Sequence, residues 1–116
     1  MADKIETVVS SSEGTAGRAV SVTRGVKLTL DSSARPQPDA LTNSEAFLAG
    51  ISSCGVTLIE MHAKETGVPL KRLEVTIEGV RTAAEPAKFA RITMRFALAG
   101  VSQPQAEELV AVYRQR

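Results

Sequence analysis

Asn43-Ser44-Glu45-Ala46-Phe47-Leu48-Ala49-Gly50-Ile51-Ser52-Ser53-Cys54-Gly55 is the stretch on which the reading of this chain turns. Phe47, Ile51, Cys54, Leu58 and Met61 recur at helical spacing and form one apolar stripe. The opposite side, with Leu48, Ala49, Ser52, Gly55, Val56 and Ile59, is not polar either. A helix apolar nearly all round is buried nearly all round. A chain of 116 residues has little protein with which to wrap it. Gly50 and Gly55 each cost about 1 kcal/mol of helix propensity against Ala. Close approach of another backbone would offset that cost. A second copy is the simplest covering, so a homodimer with this helix at its centre is expected.

The helix is expected to open at Asn43 or Ser44, both good N-caps, with Glu45 favourable in the first turn. It should run to about Glu65, with Gly67 as the stop and Pro69 beyond it. Upstream, residues 5–10 read as a strand and 11–17 as a turn. Residues 19–23 and 26–31 alternate around Arg24-Gly25, a hairpin turn in which Gly25 can take positive φ. Residues 32–42, with Pro36 and Pro38 and no apolar period, form a loop long enough to be suspected of function. Downstream, Leu73, Val75 and Ile77 alternate with Glu74, Thr76 and Glu78. Ile92, Met94, Phe96 and Leu98 alternate with Arg91, Thr93, Arg95 and Ala97. The acidic and basic outer faces of these two strands could pair, but a solvated sheet face is the reading we hold. Ser102-Gln103-Pro104-Gln105 is a capping box opening a last helix with Ala106, Leu109, Val110 and Tyr113 as its stripe. The order is three strands, helix, two strands, helix. That implies an α+β fold in a single domain over 1–116, with an antiparallel sheet and its helices on one face.

A net charge of +1, with scattered basic residues, argues against nucleic acid as a partner. Aromatics at 3% argue against base stacking. No apolar run follows Met1-Ala2-Asp3-Lys4, so no secretory signal is expected. The stretch 46–61 contains Gly50, Ser52, Ser53, Gly55 and Glu60 and reads as too short and too polar to span a bilayer. A cytoplasmic protein with no membrane partner is expected.

Cys54 is the chain's single cysteine, so no internal disulfide exists. On spacing alone, a cysteine on an apolar helix stripe is more often an inert small hydrophobe than a nucleophile. His62 lies eight residues on, roughly 12 Å along the axis, too far for a Cys-His pair. One histidine and one cysteine make no metal site.

The run Thr42-Asn43-Ser44-Glu45, then Phe47 through Cys54, resembles the peroxidatic-cysteine helix of the OsmC/Ohr family, that of osmotically inducible protein C and the organic hydroperoxide resistance protein. Gly17-Arg18-Ala19-Val20-Ser21 and Val26-Lys27-Leu28 look like the family's N-terminal sheet. Gly67-Val68-Pro69-Leu70 with Leu73-Glu74-Val75 looks like its post-helix turn and strand. The resemblance covers nearly the whole chain and departs from the family pattern at Ser44, where Pro is usual.

The resemblance implies an intertwined α+β dimer. It also implies thiol-dependent reduction of organic hydroperoxides, alkyl or fatty-acyl, in oxidative stress defence. No bound cofactor is expected, only an external thiol or lipoylated reductant. Cys54 matches the peroxidatic cysteine. Arg35 lies in the loop where one branch of the family places the arginine that lowers the thiol's pKa. The other branch's position falls near Thr15, with Arg18 a poorer match. Glu45 matches the family's glutamate, offset by one, and would hold Arg35. In one straight helix Glu45 sits roughly 13 Å from Cys54 and on another face, so it reaches the thiol only across a dimer or through a bend. Phe47, Ile51, Leu58 and Met61 would line an apolar substrate pocket. The family's resolving cysteine follows the final helix in a Cys-Pro segment. This chain is expected to be C-terminally truncated or to work without it. The alternative is a non-catalytic dimer of the same fold, binding an apolar ligand at the subunit groove.

Overall fold

Caps and turns written in the sequence set most of the element ends. The structure, a computed structural model, describes residues 3–115. Its elements are β1 (Val9–Ser12), β2 (Arg18–Thr23), β3 (Val26–Asp31), α1 (Asn43–Thr66), β4 (Arg72–Val80), β5 (Arg91–Ala99) and α2 (Gln103–Arg114). This is the expected α+β order. The sheet, however, comes as two separate antiparallel pieces, β1-β2-β3 and β4-β5. The chain divides into two compact units, Met1–Phe47 and Leu48–Arg116.

In the first unit, pairing of Thr23 with Val26 leaves Arg24-Gly25 as a two-residue turn. Both residues have positive φ, 51° and 81°. That is the type I′ geometry whose twist matches the flanking strands. β1 starts at Val9 rather than Ile5 because β2 ends at Thr23 and offers no ladder partner further back. The chain before it is held instead by a bond from the Thr23 hydroxyl to the Thr7 carbonyl at 2.9 Å. The best-buried side chain of this unit is a carboxylate, Asp31, at 1% exposure.

α1 opens one residue earlier than its expected caps. Thr42 is the N-cap: its carbonyl takes the Ala46 N–H at 2.9 Å and its hydroxyl takes the Glu45 N–H at 3.1 Å. The Glu45 carboxylate returns the bond to the Thr42 N–H at 2.9 Å, completing a capping box.

In the second unit α1 ends as expected at Gly67, φ 72°. Val68 N–H bonds to Ala63 O at 2.9 Å and Gly67 N–H to Lys64 O at 3.4 Å. These are the two bonds of a Schellman motif, and they turn Val68 into the core. β4 and β5 pair from Arg72↔Ala99 to Val80↔Arg91. Leu73, Val75 and Ile77 face Leu98, Phe96 and Met94. On the other face Glu74 opposes Ala97 and Glu78 opposes Thr93, so unlike charges do not meet across the strands. The ion pair found there, Arg72–Glu74 at 3.3 Å, lies within one strand. α2 opens on the expected capping box of Ser102 and Gln105.

Ile59 and Ala63 of α1 and Leu109 of α2 form the buried core, ringed by Val68, Leu70, Leu73, Phe96, Leu98, Val110 and Tyr113. Gly55 meets side chains of its own unit: a Cβ there would lie 3.5 Å from the Tyr113 ring and 3.7 Å from that of Phe96. Gly50 has open space. By length and composition alone α1, at 24 residues, is long and apolar enough to cross a bilayer, contrary to expectation.

Candidate functional site

The core takes the face of α1 that carries Gly55, Ile59 and Ala63. The stripe centred on Cys54, expected to face a core or an interface, does not face this core. Cys54 is a free, exposed thiol, and Phe47 and Met61 are 56% and 60% exposed. Ile51 and Leu58 are half-buried at the margins. The reason is size: Gly55 and Ala63 let Tyr113, Phe96 and Leu109 approach the helix axis, which a stripe of Phe, Leu and Met would prevent. His62 is half-buried in the helix and its carbonyl accepts the Thr66 hydroxyl at 2.8 Å.

Behind the Cys54 turn stands Tyr113, from the last turn of α2. Its ring packs on Gly55 and tilts 58° against Phe96, with centroids 5.9 Å apart. Its hydroxyl donates to the Ile51 carbonyl at 3.1 Å, and the Met94 sulfur lies 3.8 Å from the same oxygen. Burial pushes the phenol's pKa up, and the charge of a Cys54 thiolate pushes it further. Sequence reasoning had placed Tyr113 on α2's apolar stripe but missed its link to the cysteine. A signal existed: a lone tyrosine on a buried face needs a partner for its hydroxyl.

Arg35 sits exposed in the loop between β3 and α1. Asp31 ties that loop down on both sides of it. One carboxylate oxygen accepts the Ser33 N–H at 3.0 Å, and the other accepts the Gln37 N–H at 3.1 Å. The Gln37 side-chain amide donates to the Arg35 carbonyl at 3.2 Å. Bonds from the Ser33 hydroxyl and N–H, then from Gln37, with Arg18 beside it, hold the Asp31 carboxyl down at about 2.

Arg18, the other candidate cation, is committed elsewhere. Its guanidinium contacts Asp31 at 2.9 Å, Asp39 at 3.1 Å and Glu13 at 3.2 Å. The bond to Asp39 chiefly raises its pKa above an already high value, and that of Asp39 is lowered in return. The structure does not pair Arg35 with Glu45. The Glu45 carboxylate serves the α1 cap, and Arg35 has no ion-pair partner among the described residues.

The family model described as OsmC-like protein matches residues 36–116. The OsmC-like protein of Mycoplasma pneumoniae is similar in structure, with a TM-score of 0.82 and 18% identity over 99% of this chain and 84% of that one. An organic hydroperoxide resistance protein OsmC from Legionella pneumophila has a TM-score of 0.65 and 26% identity, covering 99% of this chain and 85% of that one. The organic hydroperoxide resistance protein OhrB of Bacillus subtilis has a TM-score of 0.60 and 18% identity, covering 97% of this chain and 84% of that one. No curated protein matches the chain closely enough to add to this. With the model spanning well over half of the sequence, including the whole of α1 and its cysteine, the chain belongs to the OsmC-like protein family.

Proposed function

We propose that this protein reduces organic hydroperoxides in a stress response, with Cys54 as the peroxidatic thiol. The observation that carries the reading is a free thiol exposed on the family's central helix, between the exposed apolar side chains of Phe47 and Met61. Two of the similar structures are named organic hydroperoxide resistance proteins, which supports a peroxide-related role. The Cys54 thiolate attacks the terminal oxygen of ROOH. An S–O bond forms and the O–O bond breaks. The alkoxide leaves and takes a proton to become the alcohol, and Cys54 becomes a sulfenic acid. An external thiol, or a lipoylated protein, then attacks that sulfur. Water leaves and a mixed disulfide forms, and a second thiol frees Cys54.

Arg35 is the proposed activating cation, since a nearby positive charge favours the thiolate. Glu45 is its proposed partner in the assembled dimer. A second copy over α1 would turn Phe47, Ile51, Leu58 and Met61 into a lined pocket suited to an alkyl or acyl chain. No bound cofactor takes part, and the cytoplasm is the proposed compartment.

Cys54→Ser tests this. The substitution conserves volume at an exposed site, so the fold stays. Consumption of cumene hydroperoxide with a dithiol reductant should fall to the rate without protein. Activity surviving the change would remove Cys54 from the mechanism. The same exposed side chains also favour the second reading, a non-catalytic dimer binding an apolar ligand. An inert Cys54 that alkylates no faster than a free thiol would support that one.

A further inference from the structure

We infer that Tyr113 is a positioning residue for Cys54, bracing from α2 the turn of α1 that carries the thiol. The inference rests on the peroxidase reading and extends it to a residue on another element. Two contacts made by one side chain carry it. The ring fills the space left by Gly55, the residue after Cys54, with a Cβ position only 3.5 Å from it. The hydroxyl bonds to the carbonyl of Ile51, one turn before Cys54, at 3.1 Å. The thiol-bearing turn is thus held from behind at both ends.

In a helix the Ile51 carbonyl already accepts the Gly55 N–H. Tyr113 occupies its second lone pair, so this carbonyl accepts two hydrogen bonds and ties the turn to α2. The support is itself stiff: the ring is wedged against Phe96, and Met94 closes on the hydroxyl from β5. A peroxide attack needs sulfur in line with the O–O bond, so a turn that tilts loses rate without losing the thiol.

Tyr113→Phe removes the hydroxyl and keeps the ring, so the variant folds. Its rate with cumene hydroperoxide should fall about three- to tenfold, the reach of one hydrogen bond. The rate of iodoacetamide with the fully ionised thiol, an undemanding reaction in geometry, should hold. Proximity is read separately. The chain has one tyrosine and no tryptophan, so tyrosinate absorbance in the ultraviolet reports Tyr113 alone. In Cys54→Ser, or after neutral alkylation of Cys54, Tyr113 should titrate at lower pH than beside the thiolate. An unchanged peroxide rate in Tyr113→Phe would overturn the inference, as would a tyrosine titration blind to Cys54. A wild-type protein that consumes no hydroperoxide while its tyrosine still responds to Cys54 would fell the peroxidase reading. The positioning role would fall with it, leaving Tyr113 a structural brace.

Discussion

Asp31 shows at the scale of one residue how the loop that carries Arg35 acquires a shape. A carboxylate at 1% exposure is tolerable only because every face of it is used, by Arg18, Ser33 and Gln37. Its carboxyl titrates at about 2 in the fold, below the ordinary value for aspartate of about 3.9. The sign follows: the stabilisation is present above the ordinary value and is lost as pH falls through about 2. Acid unfolding of the wild type should therefore have a component between those limits, and Asp31→Asn should flatten it. The check is the thermal midpoint of both forms across that range. The same midpoint slope in both would mean that another carboxylate governs acid stability. In the sequence this aspartate was only the last residue of a strand. Its partners lie thirteen residues back and two to six ahead, and nothing in periodicity pairs them.

At the scale of elements, the start of α1 decides between two readings of Glu45. Its carboxylate completes the capping box with Thr42. Thr42→Ala should lower stability by about 1 kcal/mol, the usual worth of such a cap. Glu45→Gln keeps an acceptor for the Thr42 N–H, so its stability should stay near wild type. Its peroxide rate should nonetheless fall, because the proposed hold on Arg35 needs the charge. Denaturant melts and peroxide kinetics on the two variants check this together. A Glu45→Gln protein with full activity would leave Glu45 as a cap and nothing more. The sequence showed the helix and its exit at Gly67 but placed the N-cap one residue late. Thr42, Asn43 and Ser44 are all competent caps, and only the path of the incoming loop selects among them.

For the whole molecule, the apolar surface left open is the informative quantity. Phe47 and Met61 flank Cys54 on α1, and Val9, Val26 and Leu28 lie exposed on the first sheet. Single exposed apolar residues are ordinary, but Phe47 and Met61 on the side of α1 that carries an exposed thiol mark a surface to be covered. A homodimer is the covering we propose, and light scattering at micromolar concentration should show twice the monomer mass. Met61→Glu, exposed in the single chain, should shift that mass toward the monomer while leaving helix content unchanged. It should also slow peroxide reduction, since the proposed pocket needs the second copy. A wild type that stays monomeric at that concentration would remove both the dimer and the pocket.

Much of this protein was determined by its sequence alone. Alternation, the Ser102-Gln105 capping box and the Arg24-Gly25 and Gly67 turns are local, and they place β2 to β5, the two helices and the α+β order, while β1 lies further along the chain than its apolar run suggests. Cys54 stands out as a single thiol on a helix whose residues resemble one family. Which face of α1 turns inward was decided only by tertiary structure. Both faces are apolar, so hydropathy cannot choose between them. The choice falls to packing: Gly55 and Ala63 admit the Tyr113 and Phe96 rings and Leu109, while Phe47 and Met61 are too large for that approach. Burying the small side is what leaves Cys54 in the open.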